Sequence, residues 1–138
     1  MASYEEKVEN DNMCYCCGTD NDRGLQMTFQ YPEQGIAESE LAIPRHFTGW
    51  KQMVHGGFLS MVLDEIMAHA CISKEILAVT AEMTVRYKNP AVVGADIKVS
   101  GKIVRQKGKI IETVGEITGT DGTVYAEAKA KFISQLKA

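Results

Sequence analysis

The chain has 138 residues, enough for one domain with one core, and its 45% hydrophobic and 24% charged residues are ordinary for a globular protein. A net charge of −3 gives no general electrostatic reason to bind nucleic acid, so a strongly acidic ligand would need a local basic patch. No run of about 18 apolar residues offers a membrane span, and the polar, acidic start MASYEEKVENDNM does not read as a secretory signal, so a cytoplasmic protein without a membrane partner is expected.

Residues 1–13 read as an N-terminal extension to a single domain over 14–138. CYCC, 14–17, holds three of the four cysteines, with Cys71 the fourth. This is a poor disulfide framework and suits a reducing compartment. Cys14 and Cys17 have the spacing of half a zinc site, but no second CxxC and no HxxxH follows. A turn of small, partly buried cysteines is the plainer reading, and no metal or cofactor is assigned. GTDNDRG, 18–24, is a loop by composition, and LQMTFQY, 25–31, is expected to be a strand. A second strand is expected over 36–43, ended by Pro44.

Residues 44–56 are irregular, and a helix is expected from Gly56 or Gly57 to about Ser73. Apolar residues cover most of its circumference, as in a helix enclosed by its fold. It nonetheless begins with two glycines and carries Asp64 and Glu65, which weaken a helix and are costly to bury. The second half reads as strands. Val79, Ala81, Met83, Val85 and Tyr87 alternate with polar Thr80, Glu82, Thr84, Arg86 and Lys88. Further strands are expected over 95–104, 110–118 and 124–133, with hairpin turns at Lys107–Lys109 and Asp121–Gly122. Over 124–133 alanines and lysines would tolerate a helix, but strict alternation decides for strand. Strands around one helix make an α+β domain, and its edge strands need cover, often from another subunit.

Glycines at a helix start leave backbone N–H groups without internal partners and open to close approach, with the helix dipole adding positive charge. A partly buried carboxylate such as Asp64 tends toward a raised pKa, which suits base chemistry near neutrality. Glu65 projects about 100° away around the helix, so the two acids cannot share one role.

The pattern resembles the hotdog fold, a curved antiparallel β-sheet wrapped around one long central helix. HFTGWKQMVHGGFLSMVLDEIMAHA, 46–70, resembles the HGG-x6-D/E signature of hotdog acyl-CoA thioesterases of the phenylacetate-pathway and 4-hydroxybenzoyl-CoA type. VTAEMTVRYKNPAVVGADI, 79–97, resembles that family's next strand and turn, and CYCCGTDNDRGLQM, 14–27, the C-x-x-C-G-x-x-N-x-x-G-L opening of some members.

The resemblance implies hydrolysis of an acyl-CoA thioester without a cofactor. It implies that Gly57 is the main oxyanion donor, with Gly56 beside it, and that Asp64 is nucleophile or general base, the two roles remaining open. It implies that His55 orients the glycine turn or the thioester and that Thr80 positions the water or the carboxylate. Ser60, four residues before Asp64, is placed to contact it, and Met61 is placed to shape the acyl pocket. CoA phosphates favour Arg or Lys, which directs attention to Arg86, Lys88, Arg105, Lys107 and Lys109. Glu65 reads as a structural or interface acid, Glu82 as part of a solvated strand face, and His46 and His69 as surface or packing residues.

Gly57 and Asp64 are separated by about 10 Å of helix rise, too far for one thioester to meet both within one chain. Two helices packed antiparallel would bring Gly57 of one subunit to Asp64 of another, so a dimer, or a dimer of dimers, with interface sites is expected. Two other functions compete. His46-Phe47-Thr48-Gly49 loosely resembles the HFPG segment of hotdog dehydratases, with Thr48 in place of the proline. A non-catalytic acyl-CoA-binding module is the third reading. The acyl group is not legible.

Overall fold

Apolar residues spaced three and four apart set the centre of the fold. In the computed structural model, which describes residues 9–135, helix α1 spans Gly56–Ile72. Its Leu59, Val62, Leu63, Ile66, Met67, Ala70 and Cys71 are all buried. The stripe faces one antiparallel sheet formed by β1 (Ile36–Ala42), β2 (Ala78–Tyr87), β3 (Asp96–Lys107), β4 (Ile110–Gly119) and β5 (Val124–Ser134). The spatial order is β1-β3-β4-β5-β2, so β1 and β2 are the edges. This is the hotdog arrangement, a curved sheet around one helix.

Helix and sheet approach closely along a row of small residues. Gly101 pairs with Gly115, which pairs with Ala128. A Cβ on Gly101 would lie 2.6 Å from the Ile66 carbonyl oxygen, so only glycine lets the helix backbone settle there. Inward residues of β5, Ala126, Ala128, Ala130 and Phe132, are buried, while Lys129 and Lys131 are exposed. Alternation therefore prevails over the helix propensity of that segment.

The strand expected at 25–31 does not form. Only Gln30 bridges to Glu38 of β1. Gln26 takes a positive φ of 50°, which breaks the extended run. The Leu25 and Met27 N–H groups donate instead to the carbonyls of Tyr15 and Cys16, at 3.0 and 2.8 Å. The cysteine loop thus takes the backbone bonds that a strand would have given to the sheet. The sheet has five strands rather than six. Part of the expected N-terminal extension, residues 1–8, lies outside the described residues. Among the described residues no helix is long and apolar enough to cross a membrane.

Candidate active site

The start of α1 is held by the loop before it. A short 3-10 turn, Arg45–Phe47, leads in, and the His55 N–H donates to the Phe47 carbonyl at 2.9 Å. His55 caps the helix. Its Nδ1 accepts from the Gly57 N–H at 2.9 Å, while its carbonyl accepts from Phe58 and Leu59. Accepting at Nδ1 places the proton of the neutral ring on Nε2. The Gly57 N–H, expected as the main oxyanion donor, is thus already engaged. The Gly56 N–H has no partner among the described residues. It borders a cleft of about 870 Å³ lined by Trp50, His55, Gly56, Leu59, Tyr87 and Lys88 among others.

Two turns along the same helix face stands Asp64. The Thr80 hydroxyl donates to its Oδ1 at 2.5 Å. Sequence alternation places Thr80 with Glu82 on the outer face of its strand. The structure corrects this. Thr80 pairs with Phe132 and Glu82 with Lys131, leaving Ala81 as one extra residue in β2. That bulge reverses the parity, so Thr80 shares the helix-facing side with Met83, Val85 and Tyr87. Burial raises the Asp64 pKa above the ordinary carboxylate value; the Thr80 hydrogen bond opposes this and the neighbouring Glu65 charge adds to it.

Glu65 has different company. Burial alone would raise its pKa, but hydrogen bonds from His69, Cys17 and Cys14 hold it below the usual value. The two adjacent acids are therefore driven in opposite directions, and Asp64 is the better proton acceptor.

Other expected site residues are dispersed. The Ser60 hydroxyl binds the Tyr87 hydroxyl, not Asp64. Met61 is half-buried against the core, and its carbonyl accepts from the Cys16 thiol at 3.8 Å. Lys88 lines the cleft and pairs with Glu127 at 3.3 Å. Arg86 lies opposite Glu127, on the face of the sheet turned away from α1. Arg105, Lys107 and Lys109 do not join Lys88. They occupy the β3–β4 hairpin end, where the Lys109 carbonyl meets Ser134, whose strand partner Ala78 is at the far end of β2 from Tyr87. Tyr87 and Trp50 are additions that the sequence reading missed. Tyr87 was legible as an inward residue of β2, whereas nothing in the pattern marked Trp50, which is 82% exposed at the cleft.

Residues 51–126, more than half of the chain, match the family described as the Thioesterase superfamily. The chain belongs to the thioesterase superfamily. Solved structures of low sequence identity share the fold. A crystallised thioesterase superfamily protein superposes with a TM-score of 0.83 at 22% identity over 88% of this chain, which spans about 60% of that protein's length. The Escherichia coli PaaI protein of the phenylacetic acid degradation operon gives a TM-score of 0.75 at 21% identity, covering 80% of each chain. A hypothetical thioesterase of Streptococcus pneumoniae, solved with coenzyme A, gives 0.74 at 18% identity, over 78% of this chain and 87% of that one. No curated protein matches.

Proposed function

We propose that the protein is an acyl-CoA thioesterase, splitting a thioester into free acid and CoA. The observation that carries this is the Asp64–Thr80 pair on the helix face that begins at Gly56–Gly57, in a chain of the thioesterase superfamily. The coenzyme A in the S. pneumoniae structure supports a CoA ester as substrate.

The carbonyl oxygen lies at the start of α1, where the free Gly56 N–H and the helix dipole stabilise negative charge. The Gly57 N–H joins when the substrate oxygen displaces the His55 ring. Asp64 then acts in one of two ways. As a base it takes a proton from water, the hydroxide adds to the carbonyl carbon, and the C–S bond breaks to release the CoA thiolate, which takes up a proton. As a nucleophile its oxygen adds to the carbonyl carbon, expels the thiolate and leaves an anhydride that water opens. Thr80 fixes the carboxylate in either case. Lys88 at the cleft is suited to a CoA phosphate.

The working unit is a homodimer, or a dimer of dimers, with each site shared between subunits. Two features support this. The 10 Å of rise between Gly57 and Asp64 is about three times an attack distance. Strand β2, which carries Thr80 and Tyr87, is an open edge beside that helix face. The four free cysteines suit a reducing compartment such as the cytoplasm.

The alternative dehydratase reading needs His46, which packs on Phe47 with ring centroids 4.4 Å apart and does not line the cleft. The decisive experiment is thiol release from a panel of aryl and aliphatic acyl-CoAs, repeated with Asp64→Ala and Asp64→Asn. Activity should fall by at least about 100-fold, the scale of general acid–base catalysis. Near-normal turnover in either variant rejects the assignment.

A further inference from the structure

Sequence spacing supplies Cys14 and Cys17 as two potential metal ligands and no others nearby. The fold supplies more. The Cys14 and Cys17 thiols and a Glu65 carboxylate oxygen all lie within 4.8 Å of one another. Cys14 Sγ is 3.6 and 3.7 Å from the two Glu65 oxygens, and His69 Nε2 is 3.1 Å from Glu65 Oε1. Glu65 and His69 are one turn apart on α1, with side chains 17% and 13% exposed.

We infer that Cys14, Cys17, Glu65 and His69 bind one zinc ion, tying the N-terminal cysteine loop to the middle of the central helix. With Zn–S about 2.3 Å and Zn–N or Zn–O about 2.0–2.2 Å, tetrahedral ligands stand about 3.3–3.8 Å apart. The separations at Glu65 lie close to that range; His69 touches Glu65 but stands outside the 4.8 Å group formed by the other three, so it completes the set by closing toward the thiols as the metal binds. Two thiolates with one imidazole and one carboxylate are a donor set for tetrahedral zinc, and four protein ligands make the site closed and structural.

Two further features orient the ligands. A zinc-bound histidine commonly uses its other ring nitrogen in a hydrogen bond. Here His69 Nδ1 lies 2.8 Å from the Tyr31 hydroxyl, and the ring stacks on Phe29 with centroids 3.6 Å apart and an interplanar angle of 9°. The cysteine loop is also tightly closed. Gly18 N–H donates to the Cys14 carbonyl at 2.8 Å, and a Cβ on Gly18 would lie 2.5 Å from Cys14 N. That turn brings the two thiols to one side, while Cys16 points elsewhere, toward the Met61 carbonyl.

Binding is a proton exchange. Both thiols lose their protons to solvent, the S–H···O contacts to Glu65 give way to Zn–S and Zn–O bonds, and His69 gives up the Nε2 proton that faces Glu65, binding through the Nε2 lone pair with the ring proton on Nδ1 toward the Tyr31 hydroxyl oxygen. The three anionic ligands and Zn²⁺ leave a net charge of −1.

The test is metal analysis of the purified full chain, with thiols counted under denaturing conditions. About one zinc per chain is expected. Chelation should lower Tm and added zinc should restore it. Cys14→Ser and Cys17→Ser should lose the zinc, whereas Cys16→Ser should keep it. Tyr31→Phe should weaken binding about 10–100-fold. Should the cysteine variants not fold, cobalt substituted into the wild-type chain should show the visible absorption of a tetrahedral thiolate site. A chain that stays metal-free and unshifted in Tm after incubation with equimolar zinc overturns the inference. So does a Cys14–Cys17 disulfide in the freshly purified protein, or His69→Ala binding zinc with unchanged affinity. None of these outcomes depends on thioesterase activity.

Discussion

The Thr80 hydroxyl reaches Asp64 across 2.5 Å only because Ala81 is an extra residue in its strand. In an unbroken pairing of the same sequence Thr80 would fall opposite Ile133 and point away from the helix, and Asp64 would lose a hydrogen-bond donor that favours its charged form. Bulges recur beside active sites because they re-aim one side chain without disturbing the rest of a sheet. Deleting Ala81 removes the extra residue but leaves Thr80 opposite Phe132 on the helix-facing side, so acyl-CoA hydrolysis should largely survive the deletion, whereas Thr80→Ala should reduce it. The fold should survive, as judged by circular dichroism.

A pH profile separates the role of Thr80 from simple packing. Its hydrogen bond lowers an Asp64 pKa that burial raises. Thr80→Val removes the lowering contribution, so the carboxylate should protonate at higher pH. If ionised Asp64 is the active form, the acid limb of kcat/KM should move to higher pH in Thr80→Val. An unshifted limb with a uniformly lower rate would assign Thr80 a structural role.

The same raised pKa has a consequence for stability. A carboxyl group whose folded pKa exceeds its unfolded pKa favours the folded state least when it is ionised. The cost is absent below the unfolded pKa and complete above the folded one. Asp64→Asn should therefore gain stability relative to wild type near neutral pH, and the gain should shrink as pH falls through the raised folded pKa and be gone below about 4. Urea denaturation at several pH values checks this. A variant less stable than wild type at neutral pH contradicts it.

Much of this arrangement was legible before the fold was known. Period-two alternation located β2 to β5, and apolar residues around most of its circumference located α1 as an enclosed helix, though not which stripe of it is buried. The failures have local causes. Residues 25–31 alternate as a strand does, yet Gln26 with its positive φ and the carbonyls of Tyr15 and Cys16 hold that segment to the cysteine loop. A bulge is invisible to a parity count, so Thr80 was linked to Asp64 by family resemblance while its strand face was misjudged. The His55 cap was hidden for another reason. Histidine is not among the preferred capping residues, so HGG does not announce that one glycine N–H is occupied.

His55 has two separable effects at the helix start. His55→Ala removes the acceptor for the Gly57 N–H and should cost about 0.5–2 kcal/mol of stability, as other caps do. It also frees that N–H for a substrate oxygen. If displacing the ring is part of binding, KM should fall or hold while stability drops. A large loss of kcat with unchanged stability would instead place His55 in the chemistry.

Sharing of the site between subunits can be decided by mixing two inactive variants. Asp64→Ala removes the attacking group. Gly57→Val obstructs the helix start, since a Cβ there would already lie 3.0 Å from His55 Nδ1. In a two-fold dimer whose sites combine Gly57 of one subunit with Asp64 of the other, a heterodimer of these variants carries one doubly damaged site and one intact site. Half of randomly mixed dimers are heterodimers, so co-refolded equimolar variants should recover about a quarter of wild-type activity. If each site lay within one chain, every site in every dimer would carry a defect and the mixture would stay as inactive as its parents. Recovery should also require subunit exchange: mixing the variants as intact native dimers should give no activity at first, then a slow rise as subunits redistribute.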